Sequence, residues 1–481
     1  MSKSAIAAAA LLAACNTMPP EVLPPPFGPN GPQKPRLFFP TGLASAPDGT
    51  LLVANGNFNH AFDSGTILTL SRASLDRLFS LQLDCDRADA DPTKCVVQIE
   101  PGDVPGKALI GSYAGPLALS DDGTIALTGS RDSGNLNAVR VDSGGLLHCL
   151  PGTGNDVSKD CRTGLLNLTA SGLDGPYAIV PGTALVQNGS SPPTTRPVFF
   201  VSSIIPHIDQ ISSGTLYTST AVAAIDMKPI DCSGQLPTAC SPWSLLFTMR
   251  AGSRFVGGGY GVGPVVFDSV RRQLYLGGCY FRSASFGAGE PGSALCNAVT
   301  NNFLRIINVD VGNAADPALF DLRTDVLSID TVQFLLGDPD PVTGAPTALW
   351  ATMRNPDILV RIELPAQPSV APRVRKVIPM PSSPADMVRI ARTGASDLIA
   401  VVTEKTNGVA IVDTATGEVI SRISRLGNSP FMIKEVSCPT TITGSACLAV
   451  SVFAECRIAL IEVPKSQPSQ AKLRTLLGSC P

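Results

Sequence analysis

Asp397-Leu398-Ile399-Ala400-Val401-Val402-Thr403 is followed, after a short polar break, by Gly408-Val409-Ala410-Ile411-Val412-Asp413-Thr414-Ala415-Thr416-Gly417-Glu418-Val419-Ile420. Two apolar runs rich in β-branched residues, each too short for a stable helix and separated by turn formers, read as neighbouring antiparallel strands. The same pairing recurs along the chain: Leu51–Asn55 with Gly65–Leu68, Ile125–Thr128 with Asn137–Asp142, Val198–Val201 with Val222–Asp226, and Leu274–Leu276 with Leu304–Asp310. Ala348–Ala351 with Leu359–Glu363 and Leu448–Val452 with Ile458–Glu462 complete about seven copies. Most copies open on a Gly/Ser-Pro or Pro-x-Gly start, and in most the second apolar run ends near an aspartate or glutamate. Asp48-Gly49 and Asp122-Gly123 stand where a hairpin needs positive φ.

The 397–420 copy resembles the YVTN-type β-propeller repeat. That resemblance implies an all-β chain forming a single β-propeller, with seven four-stranded blades over residues 37–481 and disulfide-stapled loop insertions. The physics agrees: a four-stranded unit with two apolar faces is stable only when neighbours cover both, and radial closure covers all of them at once. Composition points the same way, because Gly 44 and Pro 42 are abundant while only 16% of the 481 residues are charged. A formal charge of -3 with interspersed signs gives no electrostatic footprint for nucleic acid.

At the start of the chain a Lys3-led alanine-rich apolar stretch runs into Leu12-Ala13-Ala14-Cys15 and then a proline-rich run. This resembles a bacterial lipoprotein signal, and the resemblance implies removal of residues 1–14, lipidation of Cys15 and anchoring in a cell envelope. Asn16, in place of a retention aspartate, favours the outer membrane, on its periplasmic face or at the cell surface. Residues 15–36, with Pro19-Pro20 and Pro24-Pro25-Pro26, are expected to form an extended tether. At about 3.1 Å per residue it would span roughly 60 Å.

Twelve further cysteines fall into neighbouring couples: Cys85 with Cys95, Cys149 with Cys161, Cys232 with Cys240, Cys279 with Cys296, Cys438 with Cys447, and Cys456 with Cys480. In an exported chain without Cys-x-x-Cys this reads as local disulfides. In a propeller whose strands run a to d from the centre outward, the b–c and d–a connections share one face and the a–b and c–d connections the other. The Cys85, Cys149 and Cys232 couples fall on c–d connections, giving a stapled rim that serves either loop stability or an interaction surface.

The b–c face carries long connections: Gly56–Ser64 with His60 and Asp63, Ile204–Ser213 with His207 and Asp209, and Cys279–Asn302 with Arg282. Arg131, Asp132, Arg354, Asn355, Glu404, Lys405 and Glu455 follow the ends of other b strands. Loop-built mouths are where propellers and other scaffolds hold ligands, so these residues form the candidate binding face. Asp84, Asp86, Asp89 and Asp91 are oxygen donors of the kind calcium uses, but the glycine and closing glutamate of an EF-hand are missing. No cofactor is therefore expected, with Asp86, Asp89 and Asp91 the weak metal candidates. Gly257–Gly263 lacks dinucleotide-binding spacing and reads as a tight d–a turn. No Gly-x-Ser-x-Gly, His-Glu-x-x-His, Cys-x-x-Cys-His or Walker sequence occurs.

The sequence thus favours a non-catalytic binding or scaffold protein for another envelope protein or a surface polymer. The alternative is a metal-dependent hydrolase or lactonase at the central channel, drawing on Glu404, Asn55 and Asp386. A redox propeller is a third reading, against which stand only two tryptophans. Peptide mapping without reductant is expected to return the six local cysteine pairs; Cys85 joined to any partner but Cys95 would contradict this arrangement.

Overall fold

Apolar runs alternating with Asp- and Gly-bearing turns close into antiparallel sheets, and because both faces of each sheet are covered, the middle strands are apolar throughout rather than alternating. Leu398–Thr403, for example, is buried at every position. The computed structural model describes residues 22–27, 34–81, 83, 85, 92–131, 134–150, 159–162, 166–171, 173, 175–186, 192–203, 207–212, 215–219, 221–227, 244–250, 255–256, 260–280, 301–310, 318–321, 332–354, 356–366 and 370–480.

Seven sheets follow one another along the chain. Blade one comprises Pro40–Ser45, Leu51–Asn55, Gly65–Leu70 and Lys107–Ile110, and blade two Ala114–Leu119, Ile125–Ser130 and Asn135–Val141 with Leu147–Cys149 and Leu166–Asn167 sharing its outer edge. Blade three is Pro176–Val186, Thr194–Ser203, Ala221–Asp226 and Leu245–Arg250, and blade four is Tyr260–Asp268, Gln273–Tyr280, Asn301–Asn308 and Ala318–Asp321. Blade five is Val332–Pro339, Pro346–Met353, Ile358–Glu363 and Arg373–Pro379, and blade six is Pro384–Ile390, Leu398–Thr403, Gly408–Asp413 and Val419–Ile423. Blade seven is Pro430–Val436, Ser445–Val452, Arg457–Pro464 and Lys472–Leu477. Each first strand packs against the first strands of both neighbouring blades, and the seventh returns to the first, which closes the ring. A separate sheet of His207–Ser212, Thr215–Ser219 and Phe255–Val256 is built from the connections of blade three.

Every blade is continuous in sequence, so no blade is shared between the two ends of the chain. The seam is made instead by an insertion of blade one. Val96–Val97, from its c–d connection, adds in parallel to the outer edge of blade seven, pairing Val96 with Leu476 and Val97 with Leu477. Gly478 N donates to Val97 O at 2.8 Å. The same insertion contains a helix, α1 (Arg72–Ser80), capped by Ser71 Oγ, which accepts from Ser74 N at 3.1 Å. Its buried Leu75, Leu78 and Phe79 face blade seven's side of the core, Leu78 O accepts from Thr475 Oγ1 at 3.0 Å, and Arg72 donates to Cys438 O at 2.7 Å. Cys85–Cys95 closes this segment just before Val96.

A second regularity lies at the start of every first strand. The pairing slips between Pro40 and Gly42, Ala114 and Leu117, Pro176 and Ile179, Val262 and Val265, Val332 and Phe334, Pro384 and Met387, and Pro430 and Ile433. In six of the seven a proline stands at or inside the slip. Proline has no N–H to give the ladder, so a bulge forms where it falls. The recurrent Gly/Ser-Pro start is thus the sequence mark of a bulge at the channel mouth.

The acid that ends the third strand also has a role in the fold. Asp226, Asp310, Glu363, Asp413 and Glu462 each pair with an arginine of their own blade or its hairpin: Arg196, Arg272, Arg375, Arg392 and Arg474. These five acids at the strand ends of this face are therefore internally paired.

Three details differ from the sequence reading. Within the proline-rich stretch, Pro24, Pro25 and Pro26 are buried against blade one, with Val22 O accepting from Asp63 N at 3.0 Å and Lys107 over the Phe27 ring at 5.2 Å. Apolar proline rings gain by covering the blade edge, so the stretch is not wholly extended into solvent. Gly261 and Gly263 lie on the first strand of blade four rather than in a turn, and helix α1 occupies a connection read as loop. Four cysteine couples are bonded as expected: Cys85–Cys95, Cys149–Cys161, Cys438–Cys447 and Cys456–Cys480. Cys15, Cys232, Cys240 and Cys296 lie outside the described residues, as does the side chain of Cys279.

The double substitution Cys85→Ser with Cys95→Ser is expected to cost about 2–3 kcal/mol in chemical denaturation, more than Thr475→Val, which removes one buried hydrogen bond worth about 1 kcal/mol. A double variant as stable as the parent would show that the insertion does not hold the seam.

Candidate functional site

The face carrying the b–c and d–a connections receives the bulged starts of all seven first strands. The connection after the second strand of blade one is the best defined part of it. Asn57, at φ 50, bonds through its amide to Phe62 O at 2.8 Å and Ser112 Oγ at 2.9 Å. Gly56 permits the turn, because a Cβ there would stand 2.3 Å from the Phe58 ring. The loop therefore presents Phe58 inward.

Around Phe58 runs an arc of half-buried aromatic side chains. Its ring lies 4.8 Å from Tyr113 and 5.0 Å from Phe453, Phe453 lies 5.0 Å from Phe39, and His60 lies 4.9 Å from Tyr113. Into this arc projects Arg131, its guanidinium carbon 5.1 Å from the Phe58 centroid and 5.6 Å from that of Tyr177. Cation–π contacts of this kind satisfy the flat faces of the guanidinium but not its N–H edge. Arg131 Nε is buried with no hydrogen-bond partner among the described residues. No carboxylate among them pairs with it, and burial lowers its affinity for its proton, opposed by Tyr177 and Tyr113.

Tyr177 is released into the mouth by the bulge of blade three and is only 9% exposed. Burial, partly offset by Arg131, pushes its phenol up to about 12, so it is a hydroxyl donor at any physiological pH. Asp386, Arg354 and Glu404 also act on it electrostatically, so blades two, three, five and six converge here. On the blade-five and blade-six side the charges are engaged. Arg354 donates to Glu404 Oε2 at 2.8 Å. Asp386, in the bulge of blade six, accepts from Ile433 N of blade seven at 3.0 Å, and burial raises its pKa despite Lys434.

Of the residues singled out from sequence, Arg131, Arg354 and Glu404 are brought together around Tyr177. His60 is exposed at the end of the aromatic arc, and Lys405 is exposed beside Glu404. Asp63 is a rim residue occupied by Ser64 at 2.9 Å and Arg162 at 3.3 Å. Glu455 is taken up by Arg457 and by Asn428 N. His207 and Asp209 stand on the strand His207–Ser212, and their side chains lie outside the description. Asp84, Asp86, Asp89, Asp91, Asp132, Arg282 and Asn355 lie outside the described residues. The trio considered for a metal-dependent lactonase is otherwise engaged, since Asn55 donates to Thr66 Oγ1 at 2.8 Å and accepts from Phe38 N. Among the described residues no three His, Cys, Asp or Glu side chains group to hold a metal ion.

Phe39, Phe58, Tyr113, Tyr177 and Phe453 were not anticipated as site residues. One signal was present: Tyr177 and Asp386 follow the proline that opens their blades by one and two positions, the slots that a bulge turns toward the channel.

Two of the described staples on the opposite face work as seams. Cys85–Cys95 braces the insertion on blade seven, and the Cys149–Cys161 segment is tied to blade one, Leu109 N donating to Lys159 O at 2.8 Å and Cys161 N to Leu109 O at 3.0 Å.

No family model matches the chain, and no curated protein matches it. Solved structures similar to it include Kuenenia stuttgartiensis hydrazine synthase, at 11% identity and TM-score 0.49 over 91% of this chain and 99% of that one. The β-propeller domain of Cps50 (Swd1) from Myceliophteria thermophila aligns at 10% identity and TM-score 0.48, over 89% and 98%. Dihydro-heme d1 dehydrogenase NirN aligns at 13% identity and TM-score 0.43, over 93% and 68%.

The buried Asp386 sets a pH dependence. Its folded pKa lies above the ordinary 3.8, so the folded state binds its proton more tightly, and stability is lost as pH rises from there through the folded value. Asp386→Asn, which keeps an acceptor for Ile433 N, is expected to raise stability at pH 7 by about 1 kcal/mol and to make no difference below pH about 3. Denaturation curves at the two pH values check this; a destabilised variant at pH 7 would contradict it.

Proposed function

We propose that the protein is a lipid-anchored, non-catalytic binding protein of a bacterial cell envelope, a propeller of the YVTN type that takes its ligand at the b–c mouth. One observation carries this reading: the mouth gathers half-buried aromatic rings around a guanidinium that has no carboxylate partner among the described residues, whereas the arginines at the strand ends of the opposite face are paired. Interfaces favour aromatic and arginine side chains as anchors. Support for the anchor is the Leu12–Cys15 motif and the proline-rich stretch behind it. With Val22 fixed on Asp63 at the rim, residues 16–21 span about 20 Å when extended, which holds the mouth near the membrane surface. The partner is another envelope protein or a surface polymer.

Cys15→Ser is expected to move the protein from the membrane to the soluble fraction of fractionated cells. A photo-crosslinking residue at His60 or Lys405 should capture one recurrent neighbour in intact cells, while the same residue at Val342, exposed on the opposite face, should not. Capture from Val342 alone would contradict the assignment of the mouth.

A further inference from the structure

We infer that the mouth binds a small organic monocarboxylate with a flat apolar body, held by Arg131 and Tyr177; this deepens the reading above and rests on it. Buried donors without acceptors are rare in folded proteins, because leaving one unmade costs the full desolvation of the group. Here one stands beside a phenol. Arg131 Nε is buried and unmet among the described residues, and its guanidinium carbon stands 5.6 Å from the ring centroid of Tyr177, a side chain only 9% exposed. They come from different blades, Arg131 from blade two and Tyr177 from blade three, in electrostatic contact across the seam between them. A fixed ring keeps them from closing on each other.

The chemistry of the missing acceptor follows from the surroundings. An edge of guanidinium N–H groups beside a hydroxyl donor fits a carboxylate, which accepts two parallel bonds from arginine and a third from the phenol. A phosphate dianion fits the donors as well, but it has no apolar body to lie on the rings around them. Arg354 is already committed to Glu404 and Lys434 acts on Asp386, so Arg131 is the cation left to answer a single negative charge on the ligand. The body attached to the carboxylate would lie on Phe58 and Tyr113, whose rings are half-buried and flank Arg131. Flat apolar groups gain most from such surfaces.

Isothermal titration of the mature protein with benzoate, benzamide, acetate and inorganic phosphate tests each element. Benzoate is expected to bind with a Kd on the order of 1 mM or tighter, and the other three at least about tenfold more weakly, benzamide for want of charge, acetate and phosphate for want of a ring. Arg131→Gln and Tyr177→Phe should each weaken benzoate by about tenfold or more, as loss of a hydrogen bond to a charged group does. Arg140→Gln, on the opposite face and paired with Asp142, should leave it unchanged. Melting curves confirm that the variants are folded, and Tyr177→Phe retains the ring packing if Arg131→Gln does not fold. No benzoate binding, equal binding of benzamide, or full binding by a folded Tyr177→Phe variant would overturn the inference. If benzoate fails while the mouth still captures its neighbour in cells, the carboxylate is wrong and the binding reading stands; if both fail, both are wrong.

Discussion

Everything in this molecule depends on closing the ring. Seven blades leave two exposed sheet faces until the last meets the first, and no blade here draws strands from both termini to make that join covalent. The join is instead a short parallel strand, Val96–Val97, laid along Leu476–Leu477, with helix α1 beneath it and Leu37 and Phe38 filling the core alongside. The apolar cluster on this side runs from blade five through blades six and seven into blade one. Continuity of that core, more than the two-residue ladder, supplies the free energy of closure, while the ladder and Cys85–Cys95 fix its register.

A closed ring has a consequence for the mouth. Each first strand is pinned between two neighbours, so residues released by its bulge point where the ring directs them. Asp386 finds Ile433 N on the next blade, and Thr41 finds Ala114 O at 2.7 Å in the same manner. The Nε of Arg131, by contrast, finds no acceptor among the described residues. The constraint that holds the fold together is thus the same one that leaves this donor open, since blade two cannot shift to satisfy it without breaking contacts with its neighbours.

The fold was legible in the sequence because it is written locally. Period, turn chemistry and the Gly/Ser-Pro starts all recur within single blades, and a fold made of nearest-neighbour units needs little else. Ser71, Leu75, Leu78 and Phe79 carry a helix signal, a capping serine followed by apolar residues three and four apart, but inside an all-β frame the stretch reads as loop. The seam strand was illegible, since Val96-Val97 is too short to stand out and its partner lies nearly the whole chain away. The aromatic arc was hidden for the same reason: Phe39, Phe58, Tyr113, Tyr177 and Phe453 are scattered in sequence and meet only through closure. Arg131, Arg354 and Glu404 were found by a positional rule, that second strands end at one face, and this rule holds in every blade. It could not tell that Arg354 and Glu404 satisfy each other while Arg131 does not.

The two faces therefore differ in kind. One is closed chemically, its strand-end acids paired with arginines and two of its described staples sealing blade to blade. The other, near the docked proline stretch, keeps donors and ring faces in reserve. The most direct test is a crystal structure of the protein soaked with benzoate. The account predicts a carboxylate bonded to both Arg131 and the Tyr177 hydroxyl, with the ligand ring against Phe58; a mouth in which Arg131 has turned to a carboxylate of its own chain, with the ligand elsewhere, would contradict it.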